Sequence, residues 1–197
     1  MKIAVIGATG HLGSAVAREA TARGHQVTGL NRGKVDAVDP ASVAKAVAGH
    51  DAVVVSVQGD DRLVARSAQA MLEALPAAAV SRMIFVGGGG SLEYSPGHRF
   101  VDSPDFPPEY LQTARDQAEA LQILRAARTA VEWSYISPPP VHLVPGEKTG
   151  RYRAEARDTP ITDESGESRI SVGDYAAAVL DALENDSFVR ARFTVGY

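Results

Sequence analysis

"MKIAVIGATGHLGSAVAREATARGHQVTGLNR", residues 1–32, decides the fold. An apolar run, Ile3 to Ile6, leads into Gly7, Gly10 and Gly13 at a spacing of three. Leu12, Val16 and Ala20 then recur at helical spacing, with Ala15 and Ala22 beside them. Gly24 supplies a helix stop, and "HQVTGLN" (25–31) reads as a second strand. The order is strand, glycine loop, helix, strand, with the helix beginning near His11.

The rest of the chain keeps this alternation. "DAVVVSV" (51–57), "RMIFVGG" (82–88) and "VEWSYIS" (131–137) read as buried strands, and "ARFTVGY" (191–197) alternates like one. Between them lie helical stretches, "DRLVARSAQAMLEAL" (61–75) and the longer "PPEYLQTARDQAEALQILRAART" (107–129), whose two leading prolines cost little where N–H groups have no partner anyway. Asp39 and Pro40 form an N-cap and first helical position in "DPASVAKAVAG". Ser171 precedes Asp174 by three residues, an acidic variant of the capping box. The alternation predicts an α/β class: a three-layer Rossmann fold, a parallel doubly wound sheet with helices on both faces. We expect one domain over 1–197, with a small substrate-side portion from about 138, where "PPPVHLVPGEKTG" reads as a Pro/Gly-rich loop.

Composition narrows the function. At 197 residues the chain can bury a real core. A net charge of −4 argues against nucleic-acid binding driven by bulk charge. There is no cysteine, hence no disulfide or thiolate chemistry, which fits a cytoplasmic location. The run Ile3–Ile6 is too short for a signal-peptide core, and no stretch nears the roughly 20 apolar residues of a membrane span. The histidines are scattered, so no metal site is expected.

A strand, closely spaced glycines and a helix start form a dinucleotide-binding arrangement. One glycine permits the turn, one lets backbone approach the pyrophosphate, and the last allows close packing of helix on strand. The helix N-terminus directs free N–H groups at the phosphates. An NAD-binding chain usually carries Asp or Glu about 20 residues on, bonded to the ribose 2′-OH. Here "GLNRGK" (29–34) offers Arg32 and Lys34 instead, which suit a 2′-phosphate, so NADP is the expected cofactor and NAD the alternative. Too few residues follow Arg32 for a full helix before "VDAVDP" (35–40). A shortened third strand, "KVDAV" (34–38), would place Asp36 near the adenine edge, or Asp36 serves a turn.

"GATGHLGSAV" (7–16) resembles the NAD(P)H-binding, NmrA-like branch of the atypical short-chain dehydrogenases/reductases. "FVGGGGSLEYSPG", "PPEY", "WSYISPPP", "PGEKTGRYR" and "DESGESRISVGDYAAAVLDALE" resemble a bacterial group described as NADH-flavin reductases, related to biliverdin-IXβ reductase/flavin reductase. The resemblance covers nearly the whole chain. It implies that Gly7, Thr9, Gly10, His11 and Leu12, with Gly13 packing behind them, line the pyrophosphate, and that Arg32 sits at the adenosine ribose. Val57, Gln58 and Gly59 would border the nicotinamide ribose, Gly87, Gly88 and the residues to Ser91 would lie near the nicotinamide, and Pro138 with Pro139 would close that side. The Tyr-x-x-x-Lys pair of better-known members is absent: Tyr94 is followed four residues on by His98, and Tyr110 by Ala114. Alcohol/ketone chemistry and sugar epimerisation are therefore not expected.

A flavin accepts hydride at a ring nitrogen and takes its proton from solvent, so it needs no such pair. Ser91 and His142 are the candidate catalytic side chains: Ser91 to hydrogen-bond the acceptor or cap a turn, His142 to donate a proton or sit on a surface loop. The long loop "SLEYSPGHRFVDSPDFPPEY" (91–110) offers aromatics to a planar ring or to its own packing. The expected function is NAD(P)H-dependent reduction of a flavin, quinone or similar planar acceptor, with FMN or FAD as substrate rather than tightly bound. The alternative is a redox sensor that binds NADP(H) without turnover. The expected partner is a small-molecule acceptor, with no nucleic acid or membrane, for a monomer or homodimer.

Overall fold

The computed structural model describes residues 1–140 and 142–197, with the side chain of His142 outside the described set. The first unit is β1 (Lys2–Ile6), α1 (His11–Ala22) and β2 (Gln26–Leu30). Next come α2 (Pro40–Val47), β3 (Ala52–Val55), α3 (Leu63–Ala77) and β4 (Arg82–Val86). A small hairpin, β5 (Glu93–Ser95) and β6 (His98–Arg99), precedes a single 3₁₀ turn and α4 (Pro108–Ala126). The chain ends with β7 (Glu132–Ser137), β8 (His142–Val144), β9 (Arg153–Glu155), β10 (Arg169–Ser171), α5 (Val172–Glu184) and β11 (Ala191–Gly196).

The main sheet runs β2-β1-β3-β4-β7-β11-β9, parallel except for the edge strand β9. Period-2 alternation divides β1 between two cores. Ala4 and Ile6 face a cluster with Val43, Met71, Leu75 and Leu121 from α2, α3 and α4. Ile3 and Val5 face one with Val16, Tyr175, Val179 and Leu183 from α1 and α5. Helices therefore cover both faces, as the alternation of the chain predicts. Local signals act as read: the Asp39 carboxylate accepts from Ala41 N at 3.0 Å, and Gly24 adopts φ +83° beyond α1. Half of the Ser171 box forms: Ser171 Oγ accepts from Asp174 N at 3.0 Å, while the Asp174 carboxylate turns to Thr149, Gly150 and Tyr197.

The expected third strand "KVDAV" does not form, and β2 is the sheet edge. Local turns consume its backbone. Lys34 N and Val35 N both donate to Asn31 O, Asp36 N to Ser42 Oγ, and Val38 N to the Asp36 carboxylate at 3.1 Å. Val35 is buried in the core, anchoring these turns in place of a strand. Within the expected loop 138–150, β8 forms and pairs in parallel with β10; α5 and β11 form where a capped helix and an alternating strand are expected, and β9 extends the main sheet beyond β11.

Candidate functional site

The carboxyl ends of β1 to β4 open into a cleft of about 1260 Å³. In open α/β sheets this edge is where ligands bind. At its centre the loop after β1 turns on Gly7 (φ +86°), where a Cβ would overlap the Ser56 carbonyl and stand 2.7 Å from its carbon. A Cβ on Gly13 would overlap the Gly7 carbonyl oxygen and stand 2.8 Å from the carbon, so helix and loop touch backbone to backbone. Gly10 N donates to Gly7 O at 3.0 Å, and the first helical bond runs from Ser14 N to Gly10 O at 2.9 Å. The N–H groups of His11 and Leu12 precede that bond. Among the described residues no side chain caps α1, and its first turn holds no acidic residue. A bare helix N-terminus behind a loop too tight for Cβ atoms fits a phosphate group.

Gly7, Thr9, Gly10, His11, Leu12, Arg32, Asp36, Val57, Gln58 and Gly87 all line this cleft. Arg32, exposed at the end of β2, reaches across to β3, its Nη2 donating to Gln58 O at 3.4 Å. Among the described residues it has no carboxylate partner. Asp36 is spent partly on its own turn, and Lys34 Nζ bonds back to Gly29 O at 3.2 Å, away from the lining. Gly59 stands behind the wall, against Arg32 and Leu63. Gly87 must lack a side chain because the Tyr135 ring fills the place of a Cβ. Burial raises the Tyr135 phenol far above its ordinary value, and the neutral hydroxyl donates to Gln117 O at 2.8 Å.

Ser91 and Pro138 are placed elsewhere. The turn closed by Leu92 N to Gly89 O carries Ser91 under the sheet end, where it is 6% exposed and accepts from Arg192 Nη1 at 3.1 Å. Arg192 in turn pairs with Asp158, which also holds Arg125 at 2.6 Å. Burial pushes the Asp158 carboxyl up, but its bonds to Arg192 and Arg125 bring it net below the ordinary carboxylate range. The buried Ser91 hydroxyl thus belongs to the inner end of an ionic cluster in which Arg192 is buried and Asp158 and Arg125 reach solvent. Pro138 packs its carbonyl against Gly89. Gly88 packs on Gln117. His142 begins β8, its side chain lying outside the described residues, and the next residue, Leu143, does line the cleft.

Several cleft residues carry no motif in the sequence. Asp60, Asp61, Arg66 and Gln117 join the lining. Asp61 and Arg62 both take φ +56°, a strained pair at the rim. Asp116 of α4 holds the strain in place: its carboxylate, 3% exposed, accepts from Val64 N and Ala65 N of α3, both at 2.9 Å. Helical spacing could have flagged Gln117, a polar residue on the seam of Ala114, Leu121 and Leu124.

A family model described as NAD(P)H-binding matches residues 33–185, and one described as RmlD substrate binding domain matches residues 1–59. The Bacillus subtilis protein YwnB is 37% identical, over 99% of this chain and 98% of its own. A solved structure from Burkholderia pseudomallei, a candidate exported protein, is 39% identical with a TM-score of 0.91 and full coverage of both chains. A candidate epimerase from Bacteroides thetaiotaomicron is 34% identical, covering 100% of this chain and 96% of its own, with a TM-score of 0.90. SP1627 of Streptococcus pneumoniae, a candidate NADH-flavin reductase, is 32% identical over 100% of this chain and 99% of its own, with a TM-score of 0.88.

Proposed function

The chain belongs to the NAD(P)H-binding family of oxidoreductase-like Rossmann proteins, and from that premise we propose that it is an NADPH-preferring oxidoreductase that passes hydride to a flavin, quinone or similar planar acceptor. One observation carries the preference: the residues after β2 hold a cleft-lining guanidinium, Arg32, with no carboxylate partner among the described residues, and no Asp or Glu from Asn31 to Lys34. A guanidinium there matches a 2′-phosphate, whereas a ribose hydroxyl pair calls for a carboxylate. When bound, the nicotinamide supplies the hydride. The chain's share is to hold the diphosphate on the loop from Gly7 to Leu12, grip the 2′-phosphate with Arg32, and keep a flat surface at Gly87. Val86 and Leu143 give that end an apolar lining. The acceptor needs no proton from the protein if it is a flavin or quinone. SP1627 bears a name of this kind, which supports the reading.

A second reading, an NADP(H)-binding sensor of NmrA type that does not turn over, gains from the engagement of Ser91 by Arg192. Mixing purified protein with NADPH and FMN, then following the nicotinamide absorbance, separates the two. Steady oxidation is expected. Saturable binding without turnover across flavins, quinones and dyes would reject the enzyme reading in favour of the sensor. In the enzyme reading FMN or FAD is a substrate rather than a resident group. We place the reaction in the cytoplasm, carried out by a monomer or homodimer on a small molecule, without nucleic acid or membrane. The described helices include none long and apolar enough to cross a membrane.

A further inference from the structure

The sheet order sets β2, β1, β3 and β4 side by side along the cleft. Three strand spacings, about 14 Å in all, separate the Arg32 end from the end formed by Val86, Gly87 and Gln117. The glycine loop lies between them. A dinucleotide held with its 2′-phosphate at Arg32 and its diphosphate at the loop brings its reactive ring toward Gln117.

The structure locks the turn of α4 that carries Gln117. Its backbone carbonyl accepts the Tyr135 hydroxyl at 2.8 Å, and its neighbour Asp116 is anchored on α3 by two bonds of 2.9 Å. Its carboxamide rests on Gly88, where a Cβ would come within 2.7 Å of Cδ. Gly88 therefore makes room for that side chain. Yet the carboxamide is half-buried and, among the described residues, has no hydrogen-bond partner. A carboxamide carried by an anchored turn and lining one end of the cleft, with donor and acceptor both free among the described residues, is suited to a ligand.

We propose that Gln117 recognises an amide or imide edge, –C(=O)–NH–, on the ring bound at this end of the cleft. A carboxamide presents one acceptor beside two donors and meets such an edge with two parallel hydrogen bonds. Two sources carry this chemistry: the carboxamide of the nicotinamide, and the imide edge of an isoalloxazine acceptor. The assignment rests on the cofactor placement proposed above.

The test is equilibrium binding by wild type, Gln117→Leu and Gln117→Glu of four ligands: NADP, 2′,5′-ADP, lumiflavin and N3-methyl-lumiflavin. Leucine keeps the bulk and removes the polar group; glutamate keeps the shape and removes the donors. The 2′,5′-ADP affinity is expected to stay at the wild-type value in both variants. If the edge belongs to the nicotinamide, NADP binding falls roughly 5- to 100-fold, the loss of two ordinary hydrogen bonds. If it belongs to the acceptor, wild type favours lumiflavin over its N3-methyl derivative by a like factor, and both variants lose that discrimination. Unchanged affinities for all four ligands overturn the proposal. So does an equal loss of NADP and 2′,5′-ADP, which makes Gln117 a structural residue only. Failure of wild type to bind either adenosine ligand removes the cofactor reading itself, a distinct result.

Discussion

If the proposed NADPH preference rests on Arg32, replacing it by alanine should leave a cleft that barely distinguishes NADPH from NADH. The guanidinium has no carboxylate partner among the described residues and one long bond, 3.4 Å to Gln58 O, so a phosphate can take it without breaking a strong contact. Hydrogen bonds to charged groups are worth about 1.5–3 kcal/mol each. Arg32 is exposed, and solvent screening discounts a surface pair to well below its buried value. The bidentate contact as a whole is then worth about 1.5–3 kcal/mol, or roughly 10- to 150-fold in affinity. NADH lacks the phosphate and should lose no more than about threefold, from lost packing of the guanidinium stem. Dissociation constants for both cofactors, measured by nicotinamide fluorescence, give the ratio directly. Raising the salt should weaken NADPH binding to wild type more than to the variant, because the Debye length shrinks from about 30 Å at 0.01 M to about 8 Å at 0.15 M. Arg32→Lys keeps the charge but loses the fork and should fall between. An equal loss for NADPH and NADH in Arg32→Ala would refute the 2′-phosphate assignment, whatever its size.

Three further substitutions probe the scaffold behind the cleft. Gly13→Ala puts a Cβ 2.8 Å from the Gly7 carbonyl carbon, inside the roughly 3.5–4.0 Å of a carbon contact; the rise in melting temperature on adding NADPH should vanish, and an undiminished rise would contradict the backbone contact. Asp116→Ala removes the acceptor of Val64 N and Ala65 N and should cost about 1–3 kcal/mol, with amide exchange accelerated in the first turn of α3 but not of α1; uniform acceleration would deny it a local capping role. Asp174 is raised by burial but lowered more by Thr149, Gly150 and Tyr197, so its folded value lies below the ordinary one. Between those two values the unfolded chain binds the extra proton, so this stability is fully present above about pH 4 and is lost as pH falls through the folded value. Asp174→Asn should therefore lower stability by about 2–4 kcal/mol at pH 7, with the gap to wild type narrowing below pH 4; a gap constant with pH would show that the charge is not what holds the loop.

The first unit was legible because it depends on local rules. The apolar run, the glycine spacing and Gly24 each act within a few residues, and each acts as read. The third strand was not legible because "KVDAV" has strand composition, and only Asn31, Asp36 and Ser42 together turn its backbone away from the sheet. Half of the Ser171 box misleads for a like reason: the Asp174 carboxylate finds four donors, three of them on Thr149 and Gly150, which sequence proximity does not suggest. Ser91 follows the glycine run as a site residue would, yet Arg192, a hundred residues on, draws it into an ionic cluster. What remained hidden was partner choice at long range.

The placement of the tyrosines bears on which acceptors the cleft can serve. Reducing a ketone leaves an alkoxide that must take a proton at once from a donor within hydrogen-bond reach. None of the six tyrosines lines the cleft. Tyr94 packs on His98 and Phe100 of the hairpin region, and Tyr110 stands 61% exposed at the start of α4. Tyr135 lies nearest, behind Gly87, but its proton is directed at Gln117 O and burial opposes its release. Tyr152 is bonded to Asp181 and Tyr197 to Asp174, while Tyr175 is buried among α5 and the sheet. The cleft instead sets the Arg32 guanidinium at one end, N–H groups in the middle and the Gln117 carboxamide at the other, with Asp36, Asp60, Asp61 and Arg66 also in the lining. That distribution favours the proposed reduction of a flavin or quinone, in which orientation supplies the catalysis and solvent the proton, over reduction of a ketone by a tyrosine donor.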